Sequence, residues 1–370
     1  MKKTTKLFCT FSILLSFGLF SSSYCQSDGY SQFSGKSKRA DYEIYMQNHE
    51  GQLSGNLYFK LLPNDSAGIS RRIEFIGKLT ADSTFTLHKF TEETDFATGN
   101  FANDILSLYI QITDSLIDTI NLPLSYLPTE FRYQLINTNK TVSLLNNADS
   151  PEASFEMSIL IPDTESKLEI RKTVLKFLNI LPDSIENTAI NPLQLIETKR
   201  DTFLNDYLKL KTMYDLNGAS FNWFYISSTQ ILYNSPNLFC LENTIYAFTG
   251  GAHGMENNAY GIFNCLTNKQ LQKSDVFKSE TDSILTNLIT NSIKTSLKIS
   301  QDSSLPFDLF FVKQAEPNEN IYLTPAGIGF YYNSYEIAPY AFGQTNVFFP
   351  FEELEVLLND DFKRLMNWQN

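Results

Sequence analysis

The side chains best placed to do chemistry lie in one short run, Thr249-Gly250-Gly251-Ala252-His253-Gly254. Its glycines permit positive φ and close approach by another backbone, and His253 sets a titratable imidazole at the tip of an expected hairpin. The run predicts a contact loop or site element, with a plain tight turn as the alternative. A second run, Leu323 to Gly343, places Tyr331, Tyr332, Tyr335 and Tyr340 within ten residues. Tyrosine joins apolar area to a polar tip, which suits a platform for a glycan or protein partner. The alternative is a strand and corner whose rings fill the core, leaving Glu336 and Tyr340 as the exposed members. The candidate binding residues are therefore Thr249, Gly250, Gly251, His253, Gly254, Tyr335, Glu336 and Tyr340.

Other chemistry finds little support. No GxSxG occurs, and in Gly51-Gln52-Leu53-Ser54-Gly55 the serine falls one place too late for a nucleophile elbow. Gly29 and Gly35-Lys36-Ser37 have the wrong spacing for a phosphate loop, and no strand is expected before them. His49-Glu50 lacks the second histidine of HExxH, and the chain holds only 3 histidines. No catalytic residue, cofactor or metal-ligand set is assigned, and the lack of CxxC argues against zinc. Cys240 and Cys265 lie in strand-like runs either side of the glycine-rich turn. Folding the chain about a midpoint between Ala252 and His253 sets them opposite each other, so an oxidising compartment predicts a disulfide, with two buried thiols as the alternative.

The N-terminus points to that compartment. Lys2, Lys3 and Lys6 precede an apolar stretch from Leu7 to Phe20 and then Ser21-Ser22-Ser23, which reads as a secretory signal over residues 1–25. The stretch is shorter than a membrane span, and no later segment replaces it. The expected product is exported, to the periplasm or cell surface. Tyr24 before Cys25 disfavours lipid attachment at Cys25 relative to cleavage before Gln26. Removing residues 1–25 takes three lysines from 29 basic residues and none from 41 acidic ones, so the net charge moves from −12 to −15. That balance argues against a nucleic-acid partner and suits a cationic one.

These residues need elements to hold them. Residues 26–40, rich in Ser, Gly and Lys, read as a linker. Short alternating runs at 56–62, 71–79, 83–90, 101–112 and 131–136 predict an N-terminal antiparallel β domain over 41–145, sandwich or barrel. The polar stretch 137–152 marks the boundary. Beyond it the fold class is α+β, an antiparallel sheet covered by helices. A strand at 155–161 leads to a helix near 166–178, and Asn191-Pro192 opens a second helix. Strands follow at 221–226, 230–233, 237–248 and 259–266, then a helix over 281–297. Short strands at 321–323, 327–332 and 346–349 precede a closing helix over 351–365.

The paired motifs, Thr249 to Gly254 and then Leu323 to Gly343 with Phe349-Pro350-Phe351-Glu352-Glu353-Leu354, resemble the extracytoplasmic domain of unknown function 3298. The lead-in from Phe155 looks like the PdaC-type companion domain, number 4163 in the same naming series. The resemblance covers roughly residues 150–370. It implies an α+β surface or periplasmic module in a family that includes lysozyme-binding RsiV-type anti-sigma factors and PdaC-type peptidoglycan deacetylases. The sigma-binding segment, transmembrane helix and deacetylase domain of those proteins have no counterpart here, so their signalling and chemistry are not implied. The expectation is a non-catalytic exported envelope protein that recognises lysozyme-like proteins or peptidoglycan. The alternative is an envelope glycan hydrolase using acidic residues near His253.

Overall fold

Alternation of large apolar and polar residues along the first half of the chain leaves each strand one face to bury, and closing the sheet on itself buries all of them at once. The computed structural model describes residues 28–62, 70–90, 94–113, 116–125, 133–147, 150–163, 168–182, 191–212 and 221–368. The leader expected over 1–25, with Cys25 and Gln26, lies outside them. An eight-stranded antiparallel meander runs β1 (Gly29–Lys36), β2 (Ala40–His49), β3 (Gln52–Leu61), β4 (Ser70–Leu79), β5 (Thr84–Lys89), β6 (Asp95–Ala102), β7 (Ile105–Thr113) and β8 (Leu116–Pro123), each strand pairing with the next. A bridge from Phe33 to Leu124 and a 2.7 Å bond from the Ser125 N–H to the Gln32 carbonyl join the two ends. The result is a closed barrel. Its interior is packed by Phe33, Ile44, Leu57, Phe75, Leu108 and their neighbours.

Two expectations fail here. The 26–40 linker is in fact β1 from Gly29 onward, because Phe33 fills the barrel core while the Ser, Gly and Lys residues around it disguise the strand. Of the run at 131–136, the described residues do not belong to the barrel. From Tyr133 they start β9 (Tyr133–Ser143), which pairs with β10 (Glu152–Pro162) in a second sheet. Residues 137–143 of the polar stretch expected as a boundary belong to β9, an edge strand whose outward residues face water. The barrel therefore ends before β9, short of residue 145.

The second sheet has six strands in the order β14-β13-β12-β11-β10-β9, completed by β11 (Trp223–Asn234), β12 (Leu238–Phe248), β13 (Met255–Asn264) and β14 (Lys269–Leu271). Only β10 and β11 are parallel. The crossover between them carries α1 (Leu168–Phe177) and α2 (Pro192–Lys209), and the Asn191 side chain caps α2 by accepting from the Leu193 and Gln194 N–H groups. One face of the sheet packs on these helices and on Tyr30, Tyr45 and Tyr58 of the barrel. The other packs on α4 (Asp282–Ser296), which follows the single turn α3 (Lys273–Val276), and on a three-stranded sheet of β15 (Ile321–Thr324), β16 (Gly327–Tyr332) and β17 (Thr345–Pro350). The runs at 221–226 and 230–233 form one strand, with a bulge between Ile231 and Tyr233. The closing helix is two pieces, α5 (Phe351–Leu354) and α6 (Asp360–Leu365), separated by a bridge from Leu358 to Phe277 and restarted by the Asn359 cap.

The barrel and second sheet share a polar seam. Arg72 Nε donates to Asn56 Oδ1 (2.7 Å), Asn56 Nδ2 to Gln230 Oε1 (2.9 Å), and Gln47 Nε2 to the Thr229 carbonyl (2.6 Å). The Arg72 guanidinium lies 3.7 Å from both Glu74 and Glu242. Polar groups sealed in this way must find partners in each other, which fixes how the two parts meet.

The disulfide is a further correction. In the β12–β13 hairpin Cys240 pairs with Ile262, three positions from the expected partner, and Cys265 lies beyond the strand, its N–H bonded to the Asn237 carbonyl. An odd shift of register sends the two side chains to opposite faces of the sheet. Both are buried, Cys240 among the residues under α4 and Cys265 among those under α1, and no bond joins them.

Candidate functional site

The β12–β13 hairpin turns through Gly250 and Gly251, with φ of 102° and 100°, a conformation that side chains resist. Gly254 is needed for a different reason, since a Cβ there would come within 2.3 Å of the Tyr246 hydroxyl. Thr249 and His253 stand exposed on this loop. After β16 the chain makes a corner in which Tyr335 adopts a φ of 72°, strained backbone for an aromatic residue, and a short 3-10 turn over Tyr340–Phe342 follows.

The two loops meet. The His253 and Tyr340 rings stack with centroids 3.8 Å apart and planes 18° apart, and the Tyr335 ring also stacks with Tyr340 at 5.9 Å. The Tyr340 hydroxyl donates to the Gly254 carbonyl (3.2 Å), and His253 Nδ1 lies 2.9 Å from the same oxygen. A carbonyl can only accept, so Nδ1 carries the proton and Nε2 is left for a partner. Tyr335 is 49% exposed and Tyr340 37%, while Tyr331 and Tyr332 of the same run are buried.

Beside the stack lies an amide network absent from the sequence reading. Asn333 Oδ1 accepts from the Asn258 N–H (2.7 Å), and Asn333 Nδ2 donates to the Asn258 carbonyl (3.1 Å). This two-way clasp ties the corner to β13. Asn333 and Asn318 each donate to Glu336 at 3.1 Å, holding its carboxylate outward. Asn258 also donates to the Tyr331 hydroxyl (2.8 Å); burial pushes that phenol upward, with the Asn258 bond pulling the other way. The sequence signal was present in Asn258, an amide at a buried strand position where an apolar residue would be ordinary. An open hollow of about 600 Å³ adjoins Glu336 and is also lined by Glu316, Lys313 and Asn318. Phe311, 53% exposed, borders the corner through its N–H bond to the Ile337 carbonyl (2.9 Å). Thus all eight candidate residues lie on the two loops, and the stack directly joins His253, Gly254, Tyr335 and Tyr340.

Among the described residues no group of three or more His, Cys, Asp or Glu side chains could hold a metal ion, and no helix is long and apolar enough to cross a membrane.

Residues 274–352 match the model of a protein family of unknown function, DUF3298, and residues 135–256 match the family model described as deacetylase PdaC. A solved DUF3298 family member from Bacteroides fragilis is similar with a TM-score of 0.57 at 22% identity, over 64% of this chain and 96% of that one. A DUF3298 family protein from Pseudomonas aeruginosa aligns with a TM-score of 0.45 at 16% identity, over 63% and 96% of the two chains. No curated protein matches. The chain thus matches DUF3298 behind a PdaC-type match, the two families the motifs resembled, although Thr249 to Gly254 falls within the PdaC match, and over the aligned part it shares the fold of the Bacteroides protein.

Proposed function

We propose that this is an exported, non-catalytic binding protein of the cell envelope, and that its contact surface is the corner built from His253, Tyr335, Tyr340 and Glu336. The observation that carries this reading is the exposed three-ring stack, assembled from two separate loops and held by hydrogen bonds at its base. Glu256 on β13 and Glu336 on the corner lie exposed, and the exposed Glu316 shares the hollow beside Glu336, so a cationic protein of the lysozyme type fits the aromatic and acidic chemistry together. Export rests on the basic and apolar leader at residues 1–25, whose removal deepens the negative charge.

Peptidoglycan is the second reading, supported by the flat stack with the Asn318 and Asn333 amides beside it, a pairing of ring and hydrogen-bond donor that suits a sugar. The hydrolase alternative draws on Glu316 and Glu336 in the shared hollow. It is less favoured because both carboxylates are exposed and Glu336 is held by two amides, whereas glycan hydrolysis works best with an enclosed carboxyl acid.

The test is binding of the purified protein to a lysozyme at low and high salt, beside Glu336→Lys and His253→Ala variants, with lytic activity followed on peptidoglycan. Saturable binding that weakens with salt and in Glu336→Lys supports the protein-partner reading. Binding to peptidoglycan alone favours the second reading, and lysis lost in Glu336→Lys favours the hydrolase.

A further inference from the structure

The outer face of the barrel carries an ordered strip that starts beside the seam and runs away from it. Pairing registers place His49 opposite Gln52, Gln52 opposite Lys78, and Lys78 opposite Thr86. The same row continues from Thr86 to Thr98, then Tyr109, then Thr119. It crosses β2 to β8 with one side chain per strand, a path of roughly 29 Å at the usual strand spacing of about 4.8 Å. The alternation of each strand sends these residues outward, since their neighbours Leu87, Ala97, Leu108 and Ile120 are buried in the barrel core.

Two hollows, of about 410 and 760 Å³, lie along this row and adjoin at Lys78 and His88, making a trough of two parts. The first also reaches Ser158 of β10, which gives the trough a wall from the second sheet. Tyr109 stands 52% exposed between Thr98 and Thr119. A ring flanked by hydroxyls is the chemistry that takes a sugar, the face stacking and the edge accepting hydrogen bonds.

Charge narrows the choice. The chain has 41 acidic residues, yet neither hollow is lined by one. The lining also holds Lys78, which has no carboxylate partner among the described residues, and two histidines. His88 Nδ1 meets Asp95 at 2.6 Å, His49 Nδ1 lies 3.0 Å from the Asn137 side-chain nitrogen and 3.3 Å from Asp28, and the Thr84 hydroxyl donates to Asp82 at 2.8 Å, so three carboxylates border the trough, each bonded to a lining side chain. With those carboxylates engaged, the unpartnered Lys78 complements a carboxylate, and the hydroxyls beside Tyr109 complement a polyhydroxylated ring.

We propose that this trough binds an extended polysaccharide strand bearing carboxylates, with Lys78 meeting a carboxylate and Tyr109 stacking on a sugar ring. The site is separate from the corner at His253 and Tyr340 and does not depend on the reading given to that corner.

The experiment is titration calorimetry of the purified protein with oligogalacturonate, oligomannuronate and hyaluronan oligosaccharides, using cellohexaose as the neutral comparison. Expected is saturable binding to at least one acidic oligosaccharide, weakened tenfold or more between 50 and 500 mM salt (about 10-fold or greater by screening). Lys78→Ala and Tyr109→Ala should each weaken it at least tenfold without moving the unfolding midpoint, and Tyr340→Ala should leave it unchanged. Failure to bind any of the three, equal binding of cellohexaose, or unaltered binding in both trough variants overturns the proposal. Loss of binding in Tyr340→Ala alone would also overturn it by moving the ligand to the corner.

Discussion

The imidazole of His253 lies flat on the Tyr340 ring at 3.8 Å, and both residues bond the same Gly254 carbonyl. One oxygen thus anchors two loops that arrive from different sheets. Tyr340→Phe should remove only the hydroxyl bond and cost about 0.5–1.5 kcal/mol. Tyr340→Ala should lose the stack as well, adding about 0.5–1.5 kcal/mol. Urea unfolding of the two variants checks the difference. If they are equally stable, the stack contributes nothing to holding the corner.

Cys240 and Cys265 face opposite sides of the sheet, so both should be alkylated in protein unfolded without reductant, as peptide mapping by mass spectrometry would show. Burial pushes the Cys240 thiol up to about 12, with the Leu323 N–H 3.3 Å from its sulfur opposing the rise. It should therefore stay inert in the folded protein at neutral pH. A peptide pair linked by a disulfide would contradict the observed register.

How much of this was legible depends on what each residue shows to a one-dimensional reading. The Asn191-Pro192 helix start was readable because capping is local chemistry. The family motifs were readable because their glycines and tyrosines are unusual in combination. The barrel's closure was not, since it rests on β1, where Phe33 is the main apolar signal in a Ser- and Gly-rich segment. The cysteine pairing failed for a subtler reason. The hairpin is centred on Gly251 rather than between Ala252 and His253, and that small displacement reverses which face each side chain meets. At the site, the rings could be picked from the sequence, but the Asn258–Asn333 clasp required two distant segments to be seen together.

At the seam, Arg72 is 3.7 Å from Glu242, whose other oxygen accepts from the Tyr260 hydroxyl at 2.7 Å. Arg72→Leu should strand Glu242 and cost about 3 kcal/mol, and a second change, Glu242→Gln, should recover part of it. Denaturant unfolding of the four proteins in this cycle measures the coupling. Additive effects would mean that the pair does not act as one unit.

The same carboxylate gives stability a pH dependence. Burial raises Glu242 above its ordinary value of 4.5, with Arg72 and the Tyr260 bond pulling the other way. A group whose folded pKa is the higher one adds stability below its unfolded value and loses it as pH climbs through the folded value. Relative to Glu242→Gln, the native protein should therefore lose stability from about pH 4.5 upward until the carboxyl is ionised. Parallel stability profiles for the two proteins would show that Glu242 does not titrate with a raised value.

Gly329 in β16 tests how the second core is assembled. A Cβ there would fall 2.0 Å from Tyr322 Cζ, so the Tyr322 ring lies flat across the glycine. That position lets the Tyr322 hydroxyl donate to Asn346 Oδ1 at 2.8 Å and sets its ring 5.0 Å from Tyr260, linking the three-stranded sheet to β13. Gly329→Ala must push the ring aside and break both contacts, at a cost of about 1–3 kcal/mol for overpacking plus about 1 kcal/mol for the hydrogen bond. Tyr322→Leu, which leaves the glycine uncovered, should make Gly329→Ala nearly harmless. If Gly329→Ala is equally damaging in that background, the glycine is required by its backbone and not by the ring above it.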